Sequence, residues 1–313
     1  MKFSIVITTY NRLDLLKRAI DSALNQTVPC EVVVADNAST DGTEAYMHSL
    51  GERVRYVRNP TNLNHAGAVN TGVEAATGEW IKLLDDDDYL APNCVEVMMD
   101  AIAHRPQSVI CSCQSAQVTV NEQELSRTLI SGPGQLFYIP QEAIHYGMLL
   151  DQVPFGTPVQ VAIRRDAFVQ SGGWDVSMTY FCDEIDSWLR VAQFGDALFI
   201  NRCLAYRTVW PGNYNTTLDV KKRYEINVLI KERIYERVSP AYRDQLPPLA
   251  TTRNYLRLHW GLVALKQRQV SQAFAIALPA VASPAAWRLL YQARQLRRRQ
   301  GAVTTFPKIA LVP

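Results

Sequence analysis

The chain has 313 residues, 48% of them apolar and 20% charged, and a net charge of +2. That balance excludes a disordered or collagen-like polypeptide and suits one large or two modest globular domains with a real core. No apolar run approaches the roughly 18 residues of a membrane span, and the stretch after Met1-Lys2 is too short for a secretory signal, so a cytoplasmic location is the expectation. Six cysteines (Cys30, Cys94, Cys111, Cys113, Cys182 and Cys203) stand without CxxC spacing, which argues against a zinc site or a disulfide framework. The charge is unevenly placed. Up to Asp244 there are 22 Lys and Arg against 30 Asp and Glu, whereas the rest carries ten basic residues and no acid.

In chain order, short β-branched runs at 3–9, 31–35, 54–57 and 80–84 alternate with helical patterns at 13–24, 43–50, 66–76 and 93–103. Strands separated by helices of this length predict βαβ units around a mostly parallel sheet. The middle is less regular. Residues 108–120 read as a strand, 121–134 as a polar loop or hairpin and 158–164 as a strand before the turn Ser171-Gly172-Gly173-Trp174. A helix starts near Asp183 and stops at Gly195, and a strand follows over 197–206. Beyond residue 214 the pattern is helical, with segments at 220–238, 252–268, 271–278 and 285–300 separated by prolines.

Four consecutive aspartates, Asp85 to Asp88, follow the fourth strand. Each adjacent pair repels by roughly 4 kcal/mol at an effective dielectric near 20, so a positive partner is expected. A hard divalent cation that also takes phosphate oxygens suits them, with Asp87 as the metal ligand and Asp85 or Asp86 nearer sugar and ribose hydroxyls. If the segment stays extended, Asp85 and Asp87 share one face and Asp86 and Asp88 the other. A solvated acidic turn at a helix start is the competing reading.

Two further polar clusters end strands, where ligands of such sheets bind. Thr8-Thr9-Tyr10-Asn11-Arg12 offers hydroxyls, an aromatic face and a guanidinium to a base and a diphosphate. Asp36 closes the second strand, where its carboxylate can accept the ring N–H of a uracil or simply form an Asx turn. Asp41-Gly42-Thr43-Glu44 reads as a helix cap with a capping-box acid. The loop 62–72 supplies amides and small residues, and its His65 is equally readable as an ordinary loop side chain or a ligand. A third acidic cluster, Asp183-Glu184-Ile185-Asp186, can supply a general base for an attacking hydroxyl.

These residues together resemble family 2 glycosyltransferases of the GT-A fold. The resemblance covers residues 1–212 and rests on the segments at 4–12, 33–43, 70–80 and 84–88, on Gly173-Trp174-Asp175, and on Asp183-Glu184 before Trp188-Leu189-Arg190. It implies a catalytic domain at 1–213, with a donor half over 1–105 and an acceptor half over 106–213, followed by a basic helical region at 214–313. The implied reaction is metal-assisted, inverting transfer from a nucleotide-sugar, with UDP-sugar preferred, to a hydroxyl of a glycan or lipid-linked acceptor. Thr8, Thr9, Tyr10, Arg12, Asp36, Asn64, Asp85 and Asp86 are then donor-binding, and Asp87 holds Mn²⁺ or Mg²⁺. The family writes its catalytic acid pair Glu-Asp; here it is Asp183-Glu184, and Glu184 falls where the basic aspartate stands, with Asp183 second.

Three departures stand out. Asn64 replaces a common glycine, which is tolerable because asparagine enters left-handed backbone readily. Val69 occupies a frequent arginine position. After Tyr206-Arg207, where many relatives place a histidine near the metal, the chain reads Thr208-Val209-Trp210-Pro211. The alternatives are a nucleotide-sugar-binding module without turnover and a sugar nucleotidyltransferase, although Thr8–Arg12 lacks the glycine-rich loop of the latter. The basic tail, with Trp287, Leu289, Leu290 and Tyr291 before Arg294 and the arginines at 297–299, reads equally as peripheral attachment to an anionic membrane surface or as a helix packed on the catalytic domain with a frayed basic end. Nucleic acid is not an expected partner, since the one basic patch carries no recognisable binding motif.

Overall fold

β1 (Phe3–Thr9) is buried at every position, as a parallel strand covered on both faces should be. The structure, a computed structural model, describes residues 1–178, 183–210, 219–298 and 306–312. β1 lies between β2 (Glu31–Asp36) and β4 (Trp80–Asp85), and β3 (Arg55–Arg58) adds outside β2, all parallel. The connecting helices are α1 (Leu13–Leu24), α2 (Thr43–Leu50) and α3 (Asn64–Ala75), and α4 (Cys94–His104) follows β4. α1 shows why the pattern was readable: Leu16, Ala19, Ile20 and Ala23 recur at helical spacing and are its buried residues. The chain steps outward from β1 to β2 and β3, then returns to the other side of β1 as β4. That reversal opens a crevice at the carboxyl ends of β1 and β4, where Thr8 pairs with Asp85 and Thr9 with Asp36 on β2.

The remaining strands are β5 (Tyr89–Leu90), β6 (Ser108–Val118), β7 (Glu124–Arg127), β8 (Leu136–Ile139), β9 (Val161–Arg164), β10 (Asp196–Thr208) and β11 (Ile309–Val312). The sheet continues from β4 through β9, β6, β10 and β8 to β11. β9 runs antiparallel to both neighbours, β6 and β10 run parallel, and β8 and β11 are antiparallel, so this half is mixed. The expected polar segment after β6 is a hairpin, with β7 returning against β6.

Helices α5 (Gln141–Leu149), α6 (Arg165–Gln170), α7 (Asp183–Val191), α8 (Val220–Arg237), α9 (Leu249–Lys266), α10 (Val270–Ala277) and α11 (Pro284–Arg298) complete the set. The chain forms two compact units. One comprises Met1–Gln141, Pro154–Pro211 and Lys308–Pro313, the other Glu142–Val153 and Gly212–Pro307. The expected division at residue 213 lies outside the described residues, and two short segments depart from it. Ile309–Val312 belongs to the sheet rather than to the basic helical region, pairing with β8. Residues 142–153 join the second unit: the buried Lys231 ammonium on α8 donates to the carbonyls of Met148 and Leu149 and to Asp151 at 2.8, 2.8 and 2.6 Å, satisfying the end of α5. Within that unit α9 approaches α10 closely at Gly261, where a Cβ would lie 2.6 Å from that of Ala277. No single helix among the described residues is long and apolar enough to cross a membrane.

Candidate active site

The aspartate run does not stay extended. β4 ends at Asp85, and the amide of Asp88 donates to the Asp85 carbonyl at 3.1 Å, closing a turn. The expected alternation of faces is therefore corrected: the turn brings Asp88 back beside Asp85 and Asp87, and carboxylate oxygens of these three lie within 4.8 Å of one another. Asp86 points the other way. It is buried and accepts from the Thr9 hydroxyl at 2.8 Å, the Tyr10 amide at 3.3 Å and the Arg12 guanidinium at 3.0 Å. Asp86, expected among the donor-binding residues, lies beneath the loop that follows β1 and holds its shape.

That loop presents Tyr10, 46% exposed, above the crevice. Arg12 is tied to Asp86, approaches Asp87 at 3.5 Å and covers the Trp210 ring at 5.3 Å. Trp210 donates its indole N–H to Asp87 at 3.0 Å. At the segment where the family resemblance implies a histidine, this chain therefore supplies a group that orients a carboxylate but has no lone pair for a metal. Arg18 reinforces the same corner, donating to the Asp87 carbonyl at 2.7 Å and the Thr208 hydroxyl at 2.6 Å, while the Thr208 amide donates to Asp88 at 2.8 Å.

Asp36 is fully buried. Its carboxylate accepts from the Ser39 amide, three residues on, at 2.8 Å and from the Tyr56 hydroxyl at 2.6 Å, so it holds the turn that follows β2. The neighbouring Asn37 amide receives Asn59 and Leu63 and donates to Asn62 and Asn64, clamping the 59–64 segment to the end of the sheet. Ala38 pays for this geometry with φ of +68°, a region that costs an L-residue roughly 1–2 kcal/mol. Asp41 caps in an unexpected way: it accepts from Thr43 at the start of α2 and from the Leu13 amide at the start of α1 at 2.8 Å, linking two helix starts without a box to Glu44.

Asn64 takes the left-handed conformation, φ +62°, that its substitution for glycine requires, and donates to the Val176 carbonyl. Val69 is buried in α3 and offers no charge. His65 is the residue whose role only the folded chain reveals. Its Nε2 lies 3.0 Å from Asp85 and its Nδ1 3.3 Å from Asp183, so one imidazole bridges the two acidic clusters. Trp174 backs it edge to face at 5.1 Å. Asn70 in turn holds the Trp174 backbone through both its amide groups, and Gly173, φ +67°, passes so close to Asn70 that a Cβ would meet its oxygen at 2.7 Å.

Asp183 and Glu184 open α7, and the Glu184 amide donates to Asp183 at 3.1 Å. Asp186 is structural: fully buried, it binds Arg190 one turn on at 2.8 Å. Burial and the Asp183 charge push the Glu184 carboxyl up to about 8, so it is largely protonated at neutral pH and becomes a proton acceptor as pH rises toward and past that value. Burial alone would lower the His65 imidazole, but Asp85 and Asp183 raise it well above its ordinary value, and its charge in turn brings Asp85 below the usual carboxylate range against burial. Burial pushes Asp86 up to about 6, while burial and neighbouring carboxylates raise Asp87 and lift Asp88 well above the usual range. Two carboxyls that ionise reluctantly beside a third form an all-oxygen donor set that a hard dication would relieve, so Asp85, Asp87 and Asp88 fit such an ion.

The Glycosyl transferase family 2 profile matches residues 4–172, more than half of the chain. Chondroitin synthase of Pasteurella multocida is 28% identical over 260 residues, 81% of this chain, and the match spans only a quarter of that protein's length. Among solved structures, S. aureus TarS 1–349 superposes with a TM-score of 0.65 at 16% identity over the whole of both chains, and another structure of the same protein is in complex with UDP-GlcNAc. The mannosyltransferase PcManGT from Pyrobaculum calidifontis, in complex with GDP-Man and Mn²⁺, superposes with a TM-score of 0.57 at 20% identity over 96% of this chain and 81% of its own. The fold is thus GT-A, and the chain belongs to glycosyltransferase family 2.

Proposed function

We propose that the protein transfers a sugar from a nucleoside diphosphate sugar, with a UDP-sugar as donor, to a hydroxyl of a glycan or lipid-linked acceptor by a single inverting displacement. The observation that carries this reading is one arrangement: the carboxylates of Asp85, Asp87 and Asp88 beside an acid pair, Asp183-Glu184, linked to them through His65. A Mn²⁺ or Mg²⁺ ion held by these three carboxylates would supply Lewis-acid stabilisation of the departing diphosphate. Tyr10 offers its exposed ring to the base, and Thr8 lines the strand end below it. Arg12, anchored on Asp86, directs positive charge toward the crevice. Asp36 sets the turn that shapes its floor. Glu184 accepts the proton of the acceptor hydroxyl as it attacks the anomeric carbon, and Asp183 and His65 position it. The UDP-GlcNAc complex of TarS supports the donor class, and the Mn²⁺ complex of PcManGT supports the ion.

The test is a screen of UDP- and GDP-sugars with Mn²⁺, Mg²⁺ or EDTA, scoring release of the nucleoside diphosphate. Release with at least one donor, abolished by EDTA, is the expected result. Failure with every donor in the presence of either metal and a hydroxyl acceptor would overturn the reading.

A further inference from the structure

The second compact unit carries an exposed apolar face outside the carboxylate site. Along α10 and the turn after it, Val270, Phe274, Leu278 and Val281 are 53%, 63%, 67% and 50% exposed. Their spacing of four, four and three residues places them on one helical face. The opposite face is apolar as well: Ala273 and Ile276 are buried against α9. A helix apolar on both faces is expected to be covered on both. α11 extends the outer face with Trp287 and Tyr291, 43% and 63% exposed, and the Trp287 indole N–H donates to the Val281 carbonyl at 2.9 Å.

The charge around this face identifies its partner. Lys266 and Arg268 are exposed at the end of α9 and in the turn before α10, Arg288 and Arg294 are exposed on α11, and no acidic residue occurs after Asp244. A second copy laid on this face would bring like charges together, which disfavours self-association. An anionic phospholipid surface answers both features, with acyl chains for the apolar stripe, phosphates for the cations, and the boundary between them for Trp287 and Tyr291. The helices are not a span. Residues 270–280 and 284–295 meet at a bend of 117°, and the first is about 16 Å long against a hydrocarbon core of about 30 Å.

We propose that the α10–α11 face docks peripherally on an anionic bilayer, with Phe274 and Leu278 inserted among the acyl chains. The full chain is sedimented with vesicles of phosphatidylglycerol and phosphatidylcholine, with vesicles of phosphatidylcholine alone, and as the Phe274→Glu/Leu278→Glu variant. Both substituted positions are exposed, and circular dichroism and melting temperature check that the variant folds. Binding to the anionic vesicles, at least tenfold weaker on neutral vesicles and at least tenfold weaker in the variant, is the expected result. Absence of binding to anionic vesicles, or binding undiminished in a folded variant, overturns the proposal. So does a dimer, seen by light scattering, that the variant dissolves while neither protein binds vesicles, because the face then serves a second copy. Nucleoside diphosphate release measured without lipid should be equal in the two proteins. Its absence from the parent would count against the transfer reading and leave vesicle binding as an independent result.

Discussion

Replacing Glu184 by Gln keeps the size of the side chain at the start of α7 and removes its capacity to accept a proton. A positioned general base contributes about 10²- to 10⁴-fold, equivalent to about 3–5 kcal/mol of barrier, so turnover should fall by that factor with donor affinity nearly unchanged. The carboxyl of Glu184 is raised to about 8 by burial and by Asp183. About one-tenth is then ionised at pH 7 and nine-tenths at pH 9, so the parent's rate should climb about tenfold across that interval if the ionised carboxylate is the base. The same shift has a consequence for stability. The folded state retains a proton that the unfolded chain has already released between about 4.5 and 8, so ionisation opposes folding increasingly as pH rises through this window. The amide escapes that loss. The variant should therefore melt higher than the parent at pH 8.5 and at about the same temperature at pH 4. Initial rates of nucleoside diphosphate release from pH 6.5 to 9, with melting curves of both proteins, measure all three effects. A flat rate profile, or a folded variant that retains more than a tenth of the parent's turnover, would refute Glu184 as the base.

Asp87→Asn should weaken Mn²⁺ binding at least tenfold by titration calorimetry without donor, and unchanged affinity would remove Asp87 from the ion's shell. His65→Ala removes the imidazole that bridges Asp85 and Asp183; if that bridge orients the base for the transition state, losing about 1–2 kcal/mol of that orientation lowers kcat about 5- to 30-fold with the donor KM little changed. A parent-like kcat would show that the bridge between Asp85 and Asp183 does not matter to turnover. Ala38→Gly relieves a left-handed alanine and should stabilise the protein by roughly 0.5–1 kcal/mol after the added chain entropy of glycine; a lower melting temperature would contradict the strain.

Local pattern carried the first hundred residues because each element there announces itself. β1 and β4 are mostly apolar runs of strand length, α1 repeats at helical spacing, and the polar clusters fall where strands stop. The elements missed are short or lack periodicity. β8 and β11 have four residues each, and α6 has six, too few to distinguish from loop by alternation. β11 exists because β8 offers an open edge at the far side of the sheet, a fact no window around residue 309 contains.

The sequence alone determined the chemistry available: strand-end hydroxyls, a run of carboxylates, an acid pair before Trp188-Leu189-Arg190, and an order of elements that forces the strand ends together. Tertiary structure decided which atoms of that inventory face one another. A single turn bond from Asp88 to Asp85 selected three aspartates for a cation and left Asp86 to Thr9, Tyr10 and Arg12. Trp210 reached Asp87 across 123 positions, and His65 reached Asp183 across 118. Spacing along a strand or helix fixes neighbours a few residues apart, whereas contacts across such separations depend on where the whole sheet places its loops.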